Sequence, residues 1–458
     1  MKKYFIVCLG VLSISTSAQI LLNDDVHRAI NFALENDIEL ENQKIDHEKL
    51  ELERQSILSK YIPRLEATAL YGYLKSNGNL DIPTFNVPMT DFNLFAGSTD
   101  FKTKGQAFHG GIMAKAVLFS GGQIHYGAKA LEYQNKGNAL MMDLKADEVI
   151  KDIILSYDQL QLLNSAESLI DESEKRLNKE TERVEKAISV GLAIPYDRDK
   201  IKLATLELET NRTEVQNKKQ LLALKISQAT GLSIEEILQT SYEVEPIVIF
   251  EELSSENRNE IKALEAYQQA TQYVVKKEKG SLLPTVGAFG GYSYTSVFNS
   301  DVSTNSALTQ NPIDLQLNHL TFNPTWMIGV AMKWEIFAGF ERKHKIEEAN
   351  LSLKQIENKL KDAQEKTALQ LEKNKLEYQT AIQQIEIAKQ RELIAQHNNS
   401  MADKQYKAGL IGVTERLTAE NDIYKESLNK IQTIIKQRQI AIETYQSAGV
   451  LSTYLISK

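Results

Sequence analysis

The side chains best suited to chemistry are scattered through this chain without a pattern that would use them. Its seven histidines, His27, His47, His109, His125, His319, His344 and His397, lack ligand spacing, and the single cysteine, Cys8, lies near the start. No metal centre is expected from such a set. No G-x-S-x-G, P-loop or H-E-x-x-H pattern occurs. Gly110-Gly111, Gly121-Gly122 and Gly290-Gly291 are isolated pairs that do not make a phosphate cradle, and the eight methionines are not clustered as copper traffic would require. The reading is therefore of a non-enzyme without a cofactor. One pair of acids stands out by position: Asp197 lies six residues after Gly191, and Glu415 lies six residues after Gly409. As first-turn residues of helices, such carboxylates are favoured by about 0.3–1 kcal/mol.

That matched pair belongs to a longer repeat. Leu118-Phe119-Ser120-Gly121-Gly122 returns as Ile336-Phe337-Ala338-Gly339-Phe340, and Val190-Gly191-Leu192 returns as Ala408-Gly409-Leu410. Asp197-Arg198 is matched by Glu415-Arg416, and Tyr61-Ile62-Pro63 by Leu282-Leu283-Pro284. Matched segments in one order at nearly one offset indicate an internal duplication. The expected organisation is a signal peptide over 1–18, a first repeat over 19–230 (helix, hairpin, long helix pair) and a linker over 231–253. A second repeat over 254–448 and a tail over 449–458 complete it.

Composition fits long helices, rich in Ala, Leu, Glu, Lys and Gln with only eight prolines. A formal charge of -8 leaves no basic face for phosphates, so no nucleic-acid partner is expected. Lys2-Lys3, the apolar run Tyr4–Leu12 and the small residues Thr16-Ser17-Ala18 read as a secretory signal cut after Ala18. The run is too short to span a bilayer, and no later stretch of eighteen apolar residues exists.

An exported chain can still enter a membrane as strands of a barrel. From Trp326 to Ile336, Trp326, Ile328, Val330, Met332, Trp334 and Ile336 alternate with Gly329, Ala331, Lys333 and Glu335. That period of two marks a strand with one apolar face. Trp326 and Trp334, eight residues apart, are separated by roughly 26 Å along a strand and about 20 Å in depth when tilted, which suits two aromatic girdles. Phe108–Leu118 is the counterpart strand, and two more are expected at Leu65–Leu74 and Thr285–Thr295. The polar stretches Lys75–Gln106 and Ser296–Thr325 read as loops. Four strands cannot close a membrane barrel, so the chain must oligomerise, with eight, twelve or sixteen strands as the simple closures.

From Phe340 to Ala408 there are 69 residues without Gly or Pro, about 104 Å if helical. The partner run, Asn138–Val190, begins nearer Gly122. Short turns at Gly191–Pro195 and Gly409–Gly412 lead into return helices Tyr196–Thr230 and Val413–Ala448. Narrow apolar stripes such as Ile150, Ile153, Tyr157, Leu160 and Ile356, Leu360, Ala363, Thr367 are coiled-coil seams. The charge runs 171–176 and 180–186 read as solvated surface.

Duplicated hairpins, helices of this length and the Val-Gly-Leu tip together resemble the TolC family of outer-membrane efflux proteins, over nearly all of the expected mature chain. The resemblance implies a mixed α and β fold in which each chain gives four transmembrane β-strands to a shared trimeric barrel above an antiparallel helical tunnel. It implies a homotrimer in outer-membrane lipid, with the tunnel in the periplasm, docked on a periplasmic adaptor and an inner-membrane pump. Residues 190–192 and 408–410 (Val190, Gly191, Leu192, Ala408, Gly409, Leu410) become adaptor-docking tips, with Ala408 a departure from the motif. Asp197 and Glu415 become tunnel-entrance acids, while Lys200 and Thr418 stand where a second acidic ring would lie. The competing expectation is a non-conducting exported coiled coil that bridges envelope layers.

Overall fold

The computed structural model describes residues 20–81, 85–86, 89, 93–95, 98–250, 252–305 and 312–457. The expected signal peptide and the centres of both expected loops lie outside these residues. In chain order the elements are β1 (Ile20–Leu22), α1 (Asp24–Asn36), α2 (Ile38–Leu58), β2 (Arg64–Asp81), β3 (Phe85–Asn86), β4 (Asn93–Phe95) and β5 (Ser98–Phe119). Then come α3 (Gln123–Ser189), α4 (Pro195–Thr230), α5 (Ile234–Gln239), α6 (Asn259–Gly280), β6 (Thr285–Asn305) and β7 (Pro312–Lys333). The chain closes with α7 (Glu341–Lys407), α8 (Val413–Ala448), α9 (Leu451–Tyr454) and β8 (Leu455–Ser457). The duplication is visible in the lengths: α3 and α7 each have 67 residues, and α4 and α8 each have 36.

One compact unit comprises Leu50–Glu132 and Gln269–Lys354. Its centre is an antiparallel sheet in the order β2-β5-β6-β7. The strands are longer than the alternating pattern predicts, because residues 75–81, 98–106, 296–305 and 312–325 continue the ladders. Alternation reveals a strand only where one face is buried or in lipid; backbone pairing needs no such asymmetry. β7 ends at Lys333, so Trp334 and Ile336 lie beyond the expected strand's true end. Pro324 sits in a β-bulge, where Asn323 and Pro324 oppose Tyr294. A proline is tolerated there because, among the described residues, β7 has only β6 as a neighbour and the bulge needs no ladder donor.

The other unit comprises Met1–Lys49, Tyr133–Gln268 and Gln355–Lys458. Its main core joins Val26, Ala29 and Ile30 of α1 to Ile154, Tyr157 and Leu160 of α3 and to Ala441, Ile442 and Tyr445 of α8. Each large side chain buried there contributes about 1.5–3 kcal/mol. The 231–253 segment is held by side chains: Gln437 accepts from Ile247 N–H (3.0 Å) and donates to Ile247 C=O (2.6 Å). Tyr378 makes a similar pair with Ile249 N–H and Ile247 C=O. Of the predicted seams, Ile150, Ile153, Tyr157, Leu160, Ala363 and Thr367 are buried, while Ile356 and Leu360 are only half-buried.

The charge runs are not simply wet surface. Glu180 is only 4% exposed. Arg212 of α4 reaches Asp171 at 2.7 Å and Glu174 at 2.6 Å, and Lys219 reaches Glu167 at 2.6 Å. The antiparallel return of α4 sets its cations against the acids of α3, a partner that a one-dimensional charge run cannot reveal.

Candidate functional site

The two helix turns are built alike. α3 ends with Leu192 N–H bonded to Ala187 C=O (2.8 Å) and Gly191 N–H bonded to Ile188 C=O (3.0 Å). α7 ends with Leu410 N–H on Gln405 C=O (2.9 Å) and Gly409 N–H on Tyr406 C=O (3.0 Å). Both are Schellman motifs, which require a left-handed residue after the helix. Gly191 and Gly409 supply it with φ of 77° and 71°. A side chain at either glycine would meet open space, so conformation and not crowding selects glycine. The turns leave Leu192 and Leu410 83% and 75% exposed, and Val190, Ile194 and Tyr196 are exposed beside Leu192. Ala408 is also exposed.

The turns are packed together behind these tips. Leu177, Val184, Ile201 and Val413 form a small core with Tyr406 and Leu417 against it. Around it runs an ionic network that the sequence does not disclose. Arg416, 5% exposed, donates to Asn399 (2.7 Å) and Glu420 (3.3 Å), while Arg176 bonds Glu420 from α3. Arg183 bonds Glu180 (2.8 Å) and Asp403 (3.3 Å), and Lys407 also bonds Asp403. Burial works to raise the Asp403 pKa, yet the bonds to Lys407 and Arg183 outweigh it and hold the carboxyl below its ordinary value.

Asp197 and Glu415 each occupy the third position of their helix, α4 and α8. Asp197 accepts from the Ile194 backbone N–H at 3.4 Å, so it caps its own helix. Lys200, on the next turn, lies 4.7 Å from the centre of the Tyr196 ring and bonds Thr414 of the other turn at 2.5 Å. A cation thus crosses between the two acid-bearing turns.

In the sheet unit, directly opposed residues of antiparallel strands share a face. The register carries one face from Ala67 through Ile112 and Tyr292 to Trp326, and a parallel row from Leu65 through Ala114 and Gly290 to Ile328. Trp326, Ile328, Val330, Met332, Ile112, Tyr71 and Tyr292 on this face are all more than half exposed. Soluble proteins rarely leave so continuous an apolar surface in water. Tyr71, Phe108, Tyr292, Tyr294 and Trp326 form an aromatic band across four strands, with the Phe108 and Tyr294 rings 6.3 Å apart. Trp334 is also exposed, beyond β7, and donates Nε1–H to Leu282 C=O at 3.1 Å. The opposite face carries Glu66 and Lys115, paired at 2.7 Å, and His109 bonded to Thr295 at 2.8 Å.

Residues 252–450 match the protein family described as Outer membrane efflux protein. The match covers less than half of the chain. The fold agrees with solved structures over nearly the full length of the chain. It is similar to the structure of CusC, with a TM-score of 0.75, 14% identity and 95% of each chain covered. The CmeC outer membrane channel of Campylobacter jejuni gives 0.71 and 14%, covering 94% of this chain and 86% of that one. VceC of Vibrio cholerae gives 0.68 and 13%, covering 93% and 96%. At such identities the likeness speaks for the duplicated fold alone. No curated protein matches the sequence significantly. No helix among the described residues is long and apolar enough to cross a membrane.

Proposed function

We propose that three copies of the chain join their four-stranded sheets into one twelve-stranded barrel in the outer membrane. The helices continue it as a periplasmic tunnel. Substrate delivered by an inner-membrane pump and a periplasmic adaptor passes through passively. The observation that carries this reading is the exposed apolar face that runs unbroken across β2, β5, β6 and β7, with β2 and β7 free at their outer edges. In lipid, each unpaired backbone group on those edges costs several kcal/mol, so another sheet must cover them. Trp326 and Trp334 serve as the two girdles. The exposed Val190, Leu192 and Leu410, with Gly191, Ala408 and Gly409, present a small apolar surface that suits an adaptor tip. Asp197 and Glu415 lie where three copies would bring them towards one axis as a cation-binding constriction, in addition to capping their helices. Purified protein in planar bilayers should give discrete single-channel currents. The Asp197→Ala, Glu415→Ala double variant should conduct with weaker cation selectivity or divalent block. Stably inserted wild-type protein that never conducts would instead favour a bridge between envelope layers.

A further inference from the structure

The polar face of the sheet carries a concentration of positive charge at the end where the strands join the helices. Arg64 and Lys115 are direct cross-strand partners, a like-charge pairing that sheets normally avoid. Lys60 lies in the 3-10 turn before β2, and Lys333 ends β7 opposite Thr285. All four are exposed. The acids nearby are fewer than these cations: Glu66 bonds Lys115 and also feels the Arg64 charge, and Glu335 bonds Arg342 at 2.5 Å. Lys60, Arg64 and Lys333 make no ion pair among the described residues.

Lys60, Arg64 and Lys115 rim a concavity of about 680 Å³ whose floor is apolar: Met113, Phe289 and Met327. The Phe289 ring lies over Gly329, where a Cβ would come within 2.9 Å of its Cζ, so a glycine there makes room for the ring. That size falls within the range of small-molecule sites. A cationic rim above an aromatic floor is complementary to one chemical class, an organic anion with an apolar body. Glu66 offsets part of the Arg64–Lys115 repulsion, and a bound anion would offset the rest.

We infer that this belt of Lys60, Arg64 and Lys115 over Phe289 is a binding site for amphipathic organic anions inside the barrel. The inference rests on the proposed function, which makes this face the lumen, and it deepens that function by assigning the duct a preferred cargo class. Repeated in each copy, the belt would place three cationic patches around the pore just inside the membrane.

The test is block of single reconstituted channels by 2-naphthalenesulfonate compared with the matched cation 2-naphthylmethylammonium. The sulfonate should block wild type at roughly tenfold or lower concentration than the ammonium, as a charge-assisted contact would give. Lys60→Gln with Arg64→Gln, which leaves the Lys115–Glu66 pair intact, should lose that preference. Phe289→Leu, which keeps every charge, should weaken block by sulfonate while leaving chloride permeability alone. Glu66→Gln should strengthen it. Conducting channels that treat the two probes alike, or whose sulfonate block is indifferent to these substitutions, would overturn the inference while leaving the channel standing. Inserted wild-type protein without any conductance would overturn both.

Discussion

Asp158 of α3 and Arg438 of α8 form a bidentate ion pair, with Arg438 Nε and Nη2 donating at 2.7 and 3.0 Å to the two carboxylate oxygens. It ties the long helix of the first repeat to the return helix of the second. Tyr242, from the 231–253 segment, donates its hydroxyl to Asp158 at 2.9 Å, and Arg438 Nη1 donates to Glu245 C=O at 2.9 Å. Burial, with the Asp158 charge beside it, raises the Tyr242 pKa and keeps the hydroxyl a donor. Asp158 is wholly buried and Arg438 7% exposed.

In a buried pair of this kind attraction and desolvation nearly offset, so it adds little net stability yet is costly to halve. Asp158→Ala and Arg438→Ala should each destabilise the chain by about 3–5 kcal/mol, because either leaves a buried charge without its partner. The double variant should cost well below the sum. Thermal unfolding of the four proteins in detergent measures this; additive losses would show that the two residues do not act as a unit.

The two faces of β7 should respond oppositely to charge. Ile328→Arg or Val330→Arg should hinder insertion by roughly 2–4 kcal/mol if the position lies near the bilayer midplane. Lys333→Gln should insert normally, since that side of the sheet is already polar. Insertion into outer-membrane vesicles, followed by protease protection, reads out the difference. Equal tolerance at both positions would contradict a lipid-facing assignment.

Asp147 on α3 gives a pH dependence with a definite sign. Burial, with Asp143 adding like charge, raises its pKa from 3.8 to about 6, against hydrogen bonds from Ser452. The folded chain therefore holds a proton that the unfolded chain has released. Stability should fall as pH rises from about 4 to about 6 and stay level above, a change on the order of 2–3 kcal/mol. Asp147→Asn should remove the slope and gain most over wild type at neutral pH. Parallel slopes for the two proteins between pH 4 and 7 would show that Asp147 is not the group responsible.

What was legible in the sequence was whatever leaves a periodic or a repeated mark. The 67-residue helices follow from long runs without breakers, and the two turns follow from glycines at matched positions. The Trp326–Met332 face follows from strict alternation. The extension at 296–305 left no periodic mark, because Val297 and Phe298 are adjacent and do not alternate. That at 312–325 carries a short one, Ile313, Leu315 and Leu317 against Asp314, Gln316 and Asn318, set among Asn, Pro and Thr that read as loop. The network of Arg416, Glu420, Arg176 and Glu180 was hidden for a different reason. Its members lie on α3 and α8, up to 244 residues apart, and only the antiparallel packing brings them together. The same holds for Arg64 and Lys115, which are unremarkable charges until the register sets them face to face. Asp197 and Glu415 were legible as helix-first-turn acids, and the Ile194–Asp197 bond supports that capping role for Asp197.

The central claim is that the sheet of one chain is a third of a barrel. It is tested by the mass of the detergent-extracted, membrane-inserted protein, measured by native mass spectrometry or by light scattering corrected for bound detergent. A stable particle of three times the mature chain mass is expected, with no smaller species that keeps its strands in lipid. A stable monomer, folded and embedded in the bilayer with β2 and β7 unpaired, would contradict it.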